Sequence, residues 1–97
     1  MPPFDPSAID EIIHGRIRLG IMAYLADLEV ADFTTLKQVL GATQGNLSIQ
    51  LRKLEDAGYI AIEKSFVRRR PLTRARITSA GRHAFAAYLD AMGKLIG

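Results

Sequence analysis

Six basic side chains, Lys64, Arg68, Arg69, Arg70, Arg74 and Arg76, fall within KSFVRRRPLTRARIT, fifteen residues that hold no acid. The rest of the chain carries seven basic and ten acidic residues, so the net charge of +3 originates entirely in this stretch. Guanidinium groups at this density bind phosphate, by charge and by forked N–H donors. A charge run is usually only a solvated face, but on an otherwise acidic chain the imbalance points to a polyanion.

A second chemistry lies upstream, in TQGNLSIQLRK. The amides of Gln44, Asn46 and Gln50 have the donor–acceptor pattern that pairs with adenine N6 and N7, and Arg52 that for guanine O6 and N7. With Leu47 taken as the inward direction of a helix, Gly45, Ile49 and Arg52 point outward. Asn46 and Lys53 then flank one side and Ser48 the other. Ile49 stands where a solvated helix prefers a charge, and contact with a thymine methyl would explain it. Gly45 permits close approach, and N–H groups following Thr43 can hold a phosphate. Taken singly, each of these residues reads equally well as solvated surface. Taken together, with no acid before Glu55, they read as a nucleic-acid-reading face.

Other chemistries lack their residues. There is no G-x-S-x-G, phosphate loop, glycine-rich dinucleotide loop or carboxylate pair placed for acid–base work, so no enzyme and no cofactor are expected. His14 and His83 are the only histidines and have no ligand spacing around them, so no metal is expected. The absence of cysteine removes disulfides and thiolate sites. No apolar run approaches the ~18 residues of a membrane span, and MPPFDPSAIDE does not resemble a secretion signal, so a cytoplasmic protein is expected.

These residues need elements to hold them. Ninety-seven residues suit one domain with one modest core. Pro2, Pro3 and Pro6 keep the start extended, and Ser7 is a candidate N-cap. Ile9, Ile12, Ile13, Ile17, Ile21, Tyr24, Leu25 and Leu28 follow a helical repeat, broken at His14-Gly15 into a short and a longer helix. His14 reads as a cap or hydrogen-bonding residue at that break. Val30 to Phe33 allows only a strand fragment. Thr34 or Thr35 can cap a second helix, with Leu36, Val39 and Leu40 inward and Gly41 as its stop. Thr43 caps a third, with Leu47, Leu51 and Leu54 inward, and Gly58 closes it. Ile60, Ile62 and Phe66 alternate as a strand, Pro71 marks a loop, and Ala75 to Thr78 returns with Ile77 inward. Thr78 or Ser79 caps a last helix bearing Phe85, Tyr88, Leu89, Met92, Leu95 and Ile96.

The fold expected is mainly α with a small antiparallel hairpin. It comprises a helix-turn-helix over about 34–58, a wing over about 59–78 and a C-terminal helix over about 79–96, in one domain spanning 1–97. Ala84, Ala86, Ala87, Ala91 and Gly93 would let another helix approach the last helix closely, and so small a core offers little cover for Leu95 and Ile96, so a partner helix is expected.

LGATQGNLSIQLRKLEDAGYI followed by EKSFVRRRPLTRARITSAGR resembles the winged-helix transcriptional regulators of the MarR-like and ArsR-like superfamily, above all small members with little beyond the DNA-binding domain. The likeness runs from about His14 to Tyr88. It includes IHGRIRLGIM, the pattern N-L-S-x-x-L-x-K-L-E-x-A-G-Y, K-x-F-x-x-R-x-P-x-T in the wing and I-T-x-x-G-R at the last helix. It departs at Gln50, where many relatives have His.

The resemblance implies a dimer, paired through terminal helices, that binds double-stranded DNA. Thr43, Gln44, Asn46, Ser48, Ile49, Gln50, Arg52 and Lys53 would lie in the major groove. Arg68, Arg69, Arg70, Thr73 and Arg74 would lie on phosphates or in the minor groove. At least one wing arginine should be structural instead, and Arg76 can pair with Glu63. The rival readings are a protein-docking module whose wing meets an acidic partner, and an effector-binding regulator with a pocket lined by Tyr24, Phe85 and Tyr88.

Overall fold

The computed structural model describes residues 5–96; Pro2 and Pro3 lie outside them. Four helices pack with a three-stranded antiparallel sheet: α1 (Arg16–Leu28), β1 (Val30–Asp32), α2 (Phe33–Leu40), α3 (Gln44–Asp56), β2 (Ile60–Val67), β3 (Arg70–Ile77) and α4 (Ser79–Ile96). The sheet order is β1-β3-β2, so β3 is central where all three strands run together.

Before α1 the expected short helix is only a 3-10 turn, Pro6–Ala8. Its cap is Asp5 rather than Ser7, whose own N–H donates to the Asp5 carboxylate at 3.0 Å. Asp10 then accepts from the N–H groups of Ile12 and Ile13, which diverts the backbone into a turn instead of a helix. His14 hydrogen-bonds the Tyr88 hydroxyl at 2.9 Å, as expected of a residue at this break.

The cap of α2 is Asp32, accepting from Thr35 N–H at 2.7 Å, so the helix starts ahead of the expected threonines. A carboxylate caps as well as a hydroxyl and adds a charge that suits the helix N-terminus. Gly41 and Gly58 end α2 and α3 with φ of 60° and 80°. Each is followed by the paired hydrogen bonds of a Schellman motif: Gly41 to Gln38 with Ala42 to Lys37, and Gly58 to Glu55 with Tyr59 to Leu54. Thr78 caps α4, accepting from Gly81 N–H while donating to the Gly58 carbonyl, which ties the end of α3 to the start of α4.

Ile13, Ile21, Met22, Leu25, Leu36, Leu47 and Leu54 are fully buried, and Ile60, Ala75, Ile77 and Tyr88 complete one continuous core. Each large apolar side chain here contributes on the order of 2 kcal/mol by leaving water. Val39, expected inward, is half exposed because α2 turns only Leu36 fully onto the core. Gly81 allows α4 to cross the wing base closely, since a Cβ there would sit 2.1 Å from the Tyr59 carbonyl oxygen.

Two expectations for the wing are corrected. Pro71 lies inside β3, opposite Phe66, and the return strand begins at Arg70 rather than at Ala75. The two-residue turn makes Val67–Arg70 the closing hydrogen-bonded pair, so Phe66–Pro71 is a non-bonded pair that needs no donor from the proline. The other edge at Pro71 is open, because β1 pairs only with Arg74, Ala75 and Arg76. Phe66 shares the inward register of Ile60 and Ile62 but is 77% exposed. The hairpin outruns the domain body, leaving Phe66 no core to meet; Ile60 and Ile77 anchor the wing instead.

Candidate nucleic-acid interface

Helix α3 stands on Leu47, Leu51 and Leu54, and this fixes which side chains face solvent. Gln44, Gly45, Asn46, Ser48, Ile49, Arg52 and Lys53 are all exposed, Ile49 by 57%. Thr43 caps the helix by accepting from Asn46 N–H at 3.2 Å. The N–H groups of Gln44 and Gly45 then have no partner within the helix, as befits a first turn.

Gln50 sits differently. It is half buried, its Oε1 accepts from the Arg18 guanidinium, and its Nε2 donates to Asn46 Oδ1 at 3.0 Å. Arg18 lies on α1, thirty-two residues away, and also donates to the carbonyls of Ile12 and Glu11. No residue pattern around α3 signals this partner. The only hint is Gly15, just before Arg18, where the sequence implies a helix break.

At the wing tip Arg68 and Arg69 form the turn with φ of 52° and 67°. Positive φ at both central positions is the type I′ arrangement that twists with the strands and normally selects Asn and Gly. Two β-carbon-bearing arginines cost about 1 kcal/mol or more each there. Side chains alternate along the strands behind the tip. Lys64 and Thr73 face α3 and line an open groove with Phe33, Ser48, Leu51, Arg52 and Ile62. Glu55 and Asp56 line the same groove, so acid offsets the charge of Arg52 at the C-terminal end of α3.

Arg74 points to the opposite face, toward a depression bordered by Tyr24, Leu28, Val30 and Thr35. The N–H and hydroxyl of Thr35, and more weakly the charge of Arg74, hold the Asp32 carboxyl below its ordinary value. Arg76 makes ion pairs with Glu63 at 3.4 Å and Glu29 at 3.6 Å and is the structural arginine of the wing. The structure thus brings Thr73 together with the α3 residues, sets Arg70 on the same strand face as Arg74, away from α3, and leaves Arg68 and Arg69 at the wing tip. Among the described residues, Arg52, Lys53, Arg68, Arg69 and Arg70 have no ion-pair partner. Their charge is available to a ligand. The described residues include no cluster of metal-ligating side chains and no helix long and apolar enough to cross a membrane.

Residues 17–96 match the family described as winged helix DNA-binding domain. The chain belongs to that family. The winged helix family is one of DNA-binding transcriptional regulators rather than enzymes, and α3 and the β2–β3 hairpin are its helix and wing here. An uncharacterized protein of Methanocaldococcus jannaschii is 39% identical over 79 residues, which is 81% of this chain and 86% of that one. A transcriptional regulator homologue from Pyrococcus horikoshii OT3 superposes with a TM-score of 0.84 at 32% identity, covering 90% of this chain and 86% of its own. NadR in complex with 4-hydroxyphenylacetate superposes with a TM-score of 0.70 over 94% of this winged helix and 69% of its own chain. At 19% identity that likeness shows the fold alone.

Proposed function

We propose that this winged helix protein regulates transcription by binding duplex DNA sequence-selectively as a two-fold dimer. It would work in the cytoplasm, alongside the DNA. In this reading α3 enters the major groove with Gln44, Asn46, Ser48, Ile49, Arg52 and Lys53 toward the bases and flanking phosphates. Arg68, Arg69 and Arg70 lie on the neighbouring backbone or in the minor groove, with Thr73 at the wing's inner face. Arg74 contributes long-range charge and does not touch the duplex. The observation that carries the proposal is the set of unpaired cations shared by the outer face of α3 and the wing tip.

Dimerisation is supported by α4, where Leu89, Leu95 and Ile96 are exposed by 52%, 46% and 84%. Leu89 and Ile96, seven residues apart, share one face of α4, and exposed apolar side chains at the end of a small domain are suited to burial against a second copy. No effector pocket is proposed, because Tyr88 is buried in the core beside Phe85 while Tyr24 lies at a separate depression.

The test is the salt dependence of duplex affinity. Wild type should bind less tightly as salt rises, with a steep slope. Arg68→Glu/Arg69→Glu/Arg70→Glu should weaken binding to every duplex and flatten that slope by about 0.9 for each phosphate no longer engaged. Unchanged affinity in the triple variant would remove the wing from the interface. One observation favours a second reading: Phe66 and Val67 are exposed on the wing and suit a protein surface as well as a groove. Salt-insensitive duplex binding together with capture of an acidic protein by the wing would favour that reading.

A further inference from the structure

Hydrogen bonds in a chain have direction, and a guanidinium can only donate. Arg18 therefore dictates that Gln50 presents Oε1 to it, which leaves Nε2 to donate to Asn46 Oδ1. Asn46 is thereby held with Oδ1 pinned on the Gln50 side, one lone pair still free, and Nδ2 free to donate. That is the donor–acceptor pair an adenine edge accepts. If Gln50 were free to turn its amide, it could offer Oε1 to Asn46 Nδ2 and invert the pattern.

Gly15 supplies an independent observation. Its backbone, with φ of −160°, is extended and open to any residue. A Cβ there would fall 2.6 Å from Arg18 Nη2 and 2.8 Å from Cζ. The glycine therefore leaves open the space that the Arg18 guanidinium occupies, and a Cβ there would push the guanidinium aside. The same guanidinium holds the carbonyls of Glu11 and Ile12, which stops it from swinging away from Gln50.

We infer that Arg18 is a specificity-positioning residue, which orients the Asn46 amide through Gln50 without itself reading a base. The inference rests on the proposed DNA-binding role of α3. It also reassigns Gln50 from a base contact to the relay.

The experiment measures affinity for the duplex that wild type selects from a random pool and for variants of that duplex changed at single base pairs. Arg18→Met removes the donors at similar length, and Gly15→Ala displaces the guanidinium while leaving it in the chain. Both should reduce discrimination at one base pair by about tenfold, with the salt slope of affinity unchanged. Asn46→Ala should abolish the same discrimination, and adding Arg18→Met to it should change nothing further. A slope lowered by about one, with uniform weakening on all sequences, would make Arg18 a phosphate-binding residue and overturn the inference. A lower melting temperature with discrimination intact would make it a packing residue, with the same consequence. If wild type selects no motif at all, the DNA-reading role of α3 itself fails, and that outcome is read before any variant is made.

Discussion

Tyr59 shows how single hydrogen bonds set the frame for the reading face. Its hydroxyl donates to the Asp10 carboxylate, fastening the turn before α1 to the base of the wing. That hydrogen bond, then burial, then the charge of Asp10, push the phenol up to about 12. A raised phenol favours the neutral form, so its stabilising effect is fully present below the ordinary value near 10 and disappears as pH climbs through about 12. The difference in absorbance at 295 nm between wild type and Tyr59→Phe should therefore titrate near 12; a midpoint near 10 would show that the hydrogen bond does not form in solution. Arg18, on α1, grips the carbonyls of the same turn while donating to Gln50, so Tyr59–Asp10 and Arg18–Gln50 both tie the N-terminal part of the chain to the helix-and-wing unit. Neither pairing was legible in the sequence. Each joins residues far apart along the chain through polar tips, and periodicity reports faces, not partners.

The helices and their ends were legible, because the physics that sets them is local. Thr43, Gly41, Gly58 and Leu47-Leu51-Leu54 occupy the roles their spacing predicts, and α4 begins at the expected Thr78 cap and ends with its apolar repeat. The departures also have physical reasons. Asp32 pre-empts Thr34 and Thr35 as a cap, and Pro71 is accommodated at a non-bonded position beside an open edge. Phe66 keeps its alternation but outruns the core. The tip of the wing carries the clearest conflict between stability and charge. Arg68→Asn/Arg69→Gly should relieve the positive-φ cost at both positions, about 1 kcal/mol each, and raise the melting temperature by several degrees. The same variant should lower duplex affinity. A variant that is both no more stable and equally tight would show that the tip arginines serve neither role.

The whole molecule is elongated, 58 × 25 × 21 Å, because the wing and the end of α4 project from a small core. One projection carries unpaired arginines and the other exposed leucine and isoleucine, so the proposed polyanion-binding surface and the proposed dimer surface lie on different parts of the molecule. Two-fold pairing through α4 would present two α3 helices to one face of a duplex, about 34 Å apart. The decisive measurement is selection of bound duplexes from a random pool, with the stoichiometry of the selected complex. A two-fold dimer reading DNA through α3 should enrich a palindromic motif with half-sites one helical turn apart, bound by two protomers. Failure to enrich any motif, with weak binding to all duplexes alike, would contradict sequence-selective recognition by α3.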